Sequence, residues 1–390
     1  LKPLHVLLTL LVSSALLSCA PAAEEEVEDP STGGGGGGST VSAPSSLSAE
    51  FAVDFTTTPT VTVSGVTSGD TVTLYSDSAC STQVASGTAS ATTIALTTST
   101  LTGSSFTFYA KTTSGGTASS CSTASAAYSI ATCPTNYVKA PGNSSRSVQP
   151  FCVMKFEAKN VSNVATSNAA TAPWHTMSPD DAKAHCVALN TSGNKYNLIS
   201  NQEWLTLADD IASGVTNYSS SGTVGGFHFF PRGYSGNVTT VPVNVSDDTD
   251  YWSQTGSSTW EYRRVYFLSN GEVIWDLAGN ANEIVDWGTN NTTYTESPGC
   301  GSIGTINFGS APTSCSSLAQ INYMPLVSTW TYVDNNVGSF QKAVYAGAIT
   351  RGGGSTHTNL AGLYTLWMGD VSSVVVDKAG FRCVYRPSVN

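Results

Sequence analysis

Eight cysteines distributed between positions 80 and 383 set the strongest limit on what this chain can fold into. In an exported protein an even cysteine set reads as a disulfide framework, and eight thiols allow on the order of a hundred pairings, so spacing alone does not choose among them. Position narrows the field: Cys80 and Cys121 lie in one stretch of strand-like sequence, Cys133 and Cys152 flank the start of the next region, and Cys300 and Cys315 bracket a short loop. The rival reading, a zinc site, lacks a Cys-x-x-Cys pair or a neighbouring pair of histidines.

The ninth cysteine, Cys19, belongs to a different pattern. Lys2 precedes an apolar run from Val6 to Leu17, which ends in Leu16-Leu17-Ser18-Cys19. A basic start, a short apolar core and a small residue before cysteine have the form of a bacterial lipoprotein signal. Residues 1–18 are then expected to be cleaved and Cys19 to carry lipid. The run is too short to cross about 30 Å of hydrocarbon. Residues 19–45 hold Glu24, Glu25, Glu26, Glu28 and Asp29, followed by Gly33 to Gly38. With so little apolar surface to offset its ordering entropy, this segment is expected to be a disordered tether. The pattern points to a lipid-anchored protein of the bacterial cell envelope, held in the outer membrane and exposed at the surface. The formal charge of −11 and only 16 Lys and Arg, with no basic cluster, argue against nucleic acid as a partner.

Two folded regions follow. Residues 46–130 are almost free of charge and carry alternating runs such as Thr60-Val61-Thr62-Val63, Thr71-Val72-Thr73-Leu74-Tyr75 and Phe106-Thr107-Phe108-Tyr109, bounded by Gly, Ser or Asp. Period-2 patterning with β-branched and aromatic residues predicts six or seven short strands, hence an all-β sandwich resembling an immunoglobulin-like module. Its expected role is that of a spacer. Residues 133–386 differ because helix-start signals appear. Ser178-Pro179-Asp180-Asp181 combines an N-cap, a first-turn proline and acids, and Ser200-Asn201-Gln202-Glu203 has capping-box spacing ahead of Trp204, Leu205, Leu207 and Ile211.

Four segments of this second region carry a family resemblance: Phe151 to Glu157, Leu198 to Trp204, Asp276-Leu277-Ala278-Gly279-Asn280-Ala281-Asn282-Glu283, and the run from Arg351-Gly352-Gly353 to Gly380-Phe381-Arg382-Cys383. Together they resemble the sulfatase-modifying-factor family, whose members build the formylglycine-generating-enzyme fold, an elaborated C-type lectin-like fold. The resemblance implies an α+β head with two helices and long loops. It also implies that Cys186 pairs with Cys383, since the family's helix ending in Ala-x-Cys lies close to its terminal Gly-Phe-Arg-Cys strand. Where the copper-dependent members carry two cysteines after Arg-Gly-Gly, this chain has His357 and Gly362. No cofactor is therefore required, and the expectation is a head that is not an enzyme. In relatives the Asp-x-Ala-Gly-Asn turn often holds a structural calcium ion, which would place Asn280 and Glu283 as ligands. The alternative is a metal-free turn in which both satisfy backbone amides.

The spacing of Arg351-Gly352-Gly353, Ala361-Gly362-Leu363-Tyr364, Leu366 and Gly380-Phe381-Arg382 also resembles diversity-generating-retroelement variable proteins, which use this fold for display. That resemblance implies a ligand surface at Thr356, His357, Asn359, Leu360, Thr365, Trp367, Gly369 and Asp370, with Leu363, Thr365 and Trp367 on one face and Tyr364, Leu366 and Met368 on the other. An invariant homologue on the same scaffold fits one sequence equally well. The function expected is binding of a protein or other surface ligand. A divergent sulfatase-modifying enzyme and a passive structural protein of the envelope are the alternatives. In cell fractionation, Cys19→Ala should leave the protein unprocessed or release it into soluble fractions. A variant that processes and partitions like the wild type would rule out Cys19 as the anchor.

Overall fold

The computed structural model describes residues 40–192, 195–219, 229–236, 250–286, 306–307, 338–342, 349–368 and 378–387. Cys19, the leader and most of the tether, Cys300, Cys315, Gly369 and Asp370 lie outside the described residues. From Val41 onward the chain clusters as one compact unit. It is rich in β-structure, with two α-helices among the described residues.

The first part is a two-sheet sandwich. Its strands are β1 (Ser46–Ala49), β2 (Val53–Asp54), β3 (Thr60–Ser64), β4 (Thr71–Tyr75), β5 (Gln83–Thr88), β6 (Thr93–Thr97), β7 (Ser105–Ser114), β8 (Thr117–Ala118) and β9 (Ala126–Ile130). One sheet runs β1-β3-β6, and the other runs β2-β9-β7-β4-β5 with β8 attached to β7. Threonines alternate with apolar residues, so Val61 and Val63 of β3 and Val72 and Leu74 of β4 turn inward while the intervening threonines face outward. They meet Leu47, Leu96, Phe108, Ala110 and Tyr128 in one core. A side-chain period of two is what lets a nearly uncharged, Thr-rich sequence bury one face and keep the other in water. Cys80 and Cys121 are bonded, tying the β4–β5 connection to the segment after β8.

The second part opens with the antiparallel pair β10 (Tyr137–Ala140) and β11 (Phe151–Met154), and the Cys133–Cys152 disulfide ties the segment before β10 to β11. A hairpin follows, of β12 (Ala158–Val161) and β13 (Val164–Ser167). Helix α1 (Pro179–Val187) starts where Ser178 Oγ accepts the Asp181 N–H at 3.1 Å. After β14 (Tyr196–Leu198), helix α2 (Asn201–Ser213) starts with a complete capping box. Ser200 Oγ accepts the Glu203 N–H at 3.2 Å, and Glu203 Oε2 accepts the Ser200 N–H at 2.8 Å. Then come β15 (Val265–Phe267), β16 (Val273–Trp275), β17 (Asn282–Ile284), β18 (Ile306–Asn307), β19 (Ser339–Lys342), β20 (Thr350–Arg351), β21 (Leu366–Met368), β22 (Ala379–Phe381) and β23 (Cys383–Tyr385).

These strands form a four-stranded sheet, β10-β11-β23-β14, and a six-stranded sheet, β18-β19-β21-β20-β17-β22, beside the β12–β13 and β15–β16 hairpins. The apolar stripe of α2, with Trp204, Leu205, Leu207, Ala208 and Ile211, is buried against Phe151, Val153, Tyr266, Ile274, Leu363, Leu366 and Val384. A second cluster joins Met154, Ala182, Cys186, Leu198, Ile284, Phe381 and Cys383. Inside it Cys186 of α1 is bonded to Cys383 of β23, across 197 positions. Three of the four pairs suggested by position and resemblance are thus present. Replacing Cys186 and Cys383 together by serine should cost about 3–5 kcal/mol in a denaturant titration, since a loop this long loses much unfolded-state freedom when closed. A loss below about 1 kcal/mol would mean that packing alone holds α1 to β23.

Candidate functional site

The Arg351-Gly352-Gly353 turn is built from the inside outward. Arg351 is fully buried at the end of β20, paired with Glu283 of β17 on one side and Leu366 of β21 on the other. Its Nε and Nη2 donate to Asn201 Oδ1, and Nη1 donates to the Tyr364 carbonyl at 3.0 Å. Burial, with Arg146 nearby, pushes its pKa down to about 9, which still leaves it charged at neutral pH. Gly352 has φ +81° and Gly353 φ +73°. A Cβ on Gly352 would lie 2.6 Å from the Leu277 carbonyl oxygen, and one on Gly353 would lie 2.8 Å from Ala361 Cα. Both positions therefore demand glycine for conformation and for space.

Helix α2 clamps this loop along one face. Asn201 holds Arg351, the Trp204 indole donates to the Leu363 carbonyl at 2.8 Å, and Asp209 Oδ1 accepts the Tyr364 hydroxyl at 2.7 Å. Tyr364, Leu363, Trp204 and Arg351 are all buried. What this scaffold leaves toward solvent is small. Thr356 is exposed, His357, Leu360 and Trp367 are half-buried, and Asn359 sits in the 3-10 turn Thr358–Leu360. The His357 and Trp367 rings pack with centroids 5.1 Å apart. His357 Nδ1 accepts the Gly354 N–H at 2.8 Å, and burial pushes its pKa down, so the imidazole is neutral near pH 7.

Thr365 corrects the sequence reading. It is buried, and its hydroxyl donates to the Leu360 carbonyl at 2.6 Å. Strand alternation does not extend back to it, because β21 starts only at Leu366 and the Thr365 N–H closes a turn onto the Gly362 carbonyl. Leu363 and Tyr364 are accordingly both buried instead of pointing to opposite faces.

Asn280 and Glu283 each have a distant side-chain partner in the fold. Both Glu283 oxygens accept from Arg382 Nε, at 2.8 and 2.9 Å, with neither residue exposed. The Asn280 amide donates to Glu157 Oε2, and the Ala281 N–H donates to Glu157 Oε1 at 3.1 Å. These residues belong to a buried polar network that sequence reasoning missed as a unit. Arg264 binds Asp276 through two bonds of 2.7 and 2.6 Å. Lys159 Nζ stands 4.0 Å from Glu157 Oε2. Three cations and three carboxylates are thus buried together, which balances their charge. Burial pushes Glu157 up to about 8, with Asp276 adding to the effect, and pushes Lys159 down. The available signal was scarcity: in a chain only 11% charged, each ionisable residue inside a strand-like run is unusual.

No family model matches the chain, and no curated protein sequence matches it. Among solved structures, one described as "Biofilm associated protein - BSP domain" is 24% identical over 24% of this chain and 15% of that one, with a TM-score of 0.18. A likeness so partial carries no argument about fold or function. Among the described residues no helix is long and apolar enough to cross a membrane, and no group of three His, Cys, Asp or Glu side chains gathers as a metal site.

Removing one partner of a buried ion pair strands the other. Arg382→Leu should therefore destabilise the protein by about 3–5 kcal/mol in chemical denaturation. The double variant with Glu283→Leu should recover a large part of that loss. Equal destabilisation by the single and double variants would show that the carbonyl contacts of Arg382, not its charge, matter.

Proposed function

We propose that this protein is a lipid-tethered, surface-exposed component of the bacterial envelope that binds a partner through a head of the formylglycine-generating-enzyme, C-type lectin-like type. The β-sandwich serves as its spacer, and the head is used for recognition, as in diversity-generating-retroelement variable proteins. The observation that carries this reading is the division of labour in residues 351–367. Every anchor of the loop is buried and hydrogen-bonded, while Thr356, His357, Leu360 and Trp367 keep part of their surface free. A rigid loop that presents a neutral imidazole packed on an indole offers large contact area at little ordering cost. By resemblance the face also takes in Asn359 and, outside the described residues, Gly369 and Asp370; Thr365 is left out of it. The calcium ion implied by resemblance is not needed for this reading, in which Asn280 contacts Glu157 and Glu283 contacts Arg382.

The test is capture of surface extracts or whole cells by the full-length protein in liposomes. Trp367→Ala should weaken capture by roughly thirtyfold in affinity, about 2 kcal/mol, with an unchanged melting transition. Equal capture by the wild type and by a variant with Thr356, His357 and Trp367 all replaced by alanine would exclude this face. Copper-dependent oxidation of a cysteine peptide by the purified protein would instead place it among the enzymes.

A further inference from the structure

Lys159 is the least expected residue in the head. It is 2% exposed on β12, and its ammonium lies 4.0 Å from Glu157 Oε2, beyond hydrogen-bond reach. The same carboxylate oxygen accepts the side-chain amide of Asn280, which is 1% exposed in the turn between β16 and β17. Glu157 is itself fully buried and is fixed by the Ala281 N–H. One carboxyl group therefore stands between a primary amine and a carboxamide, inside a core closed to water. A lysine of this kind costs less free energy once its charge is gone.

From this juxtaposition we infer that Lys159 and Asn280 are joined by an intramolecular amide bond, formed in the folded protein with Glu157 as the proton carrier. The Lys159 Nζ lone pair attacks Asn280 Cγ, and a C–N bond forms between them. Glu157, entering in its protonated form, gives its proton to Asn280 Nδ2, the atom it already contacts, and takes one back from the attacking nitrogen. The Cγ–Nδ2 bond then breaks and ammonia leaves. Lysine amine plus asparagine carboxamide become a secondary amide plus ammonia, Glu157 is regenerated, and no oxidant or cofactor enters the balance. Burial draws the amine and the carboxyl toward their uncharged forms, as the step needs. The amide contacts this oxygen and the amine stands 4.0 Å from it, which replaces a bimolecular encounter with a positioned one. The product ties the β12–β13 hairpin to the turn that leads into the six-stranded sheet, a tie that reducing agents cannot cut.

Peptide mapping of the full chain after reduction, alkylation and trypsin digestion decides the matter. The expected result is no cleavage after Lys159 and a branched species joining the peptides that contain Lys159 and Asn280, lighter than their sum by one ammonia. Glu157→Gln and Lys159→Met should each abolish the branched species and restore a linear Asn280 peptide of full mass. Should neither variant accumulate in folded form, the wild-type map still decides. Recovery of Lys159 from the folded wild type in a linear peptide, with its ε-amine open to acetylation after denaturation, would overturn the inference.

Discussion

Arg382 is the point on which the head turns. Its guanidinium is fully buried, and it reaches three separate pieces of chain: the Glu283 carboxylate of β17, the Met154 and Lys155 carbonyls at the end of β11, and the Trp275 carbonyl of β16. Two sheets and a hairpin thus share one cation. A guanidinium suits this place because its donors lie in a fixed plane and keep their charge when buried, whereas an ammonium would be a mobile point charge. The arrangement is costly to desolvate and becomes favourable only when each donor finds an acceptor. Directional partners from several strands fix which strand lies beside which, so the network specifies a register that apolar packing alone would leave open.

A division of the same kind separates the two parts of the molecule. The sandwich needs no buried ion pairs, because its alternating threonines and valines already assign every side chain to a face. Among the described residues the second part has strands of two to four residues, too short for alternation to define a face. It relies instead on a helix that reaches into a loop, on glycines at positive φ and on charges paired across long separations. Irregular segments can be held rigid in this way only where their backbone groups are satisfied one by one.

This difference also explains what could be read in the sequence. The sandwich strands were legible because period two is a local signal, and both helix starts were legible because Ser-x-x-Asp and Ser-x-x-Glu are local hydrogen-bonding devices. Gly352 and Gly353 announced a turn. Thr365 was misread because alternation was carried from a three-residue strand back into the turn before it, where the chain reverses and all side chains face inward. Asn280 and Glu283 were recognised as special, yet their partners, Glu157 and Arg382, lie 123 and 99 positions away. No local pattern encodes partners so distant.

The position of β23 has a consequence for the order in which the chain can fold. It is an interior strand of its sheet, hydrogen-bonded to β11 on one side and β14 on the other, although it follows them by well over a hundred residues. Until residues 383–385 have left the ribosome, β11 and β14 face a gap and α1 has no partner for Cys186. The sandwich, whose core is closed by residue 130, can form much earlier. Synthesis thus delivers a finished sandwich followed by an open, unassembled second part, and the late closure is the interval in which oxidation errors and aggregation can compete with folding.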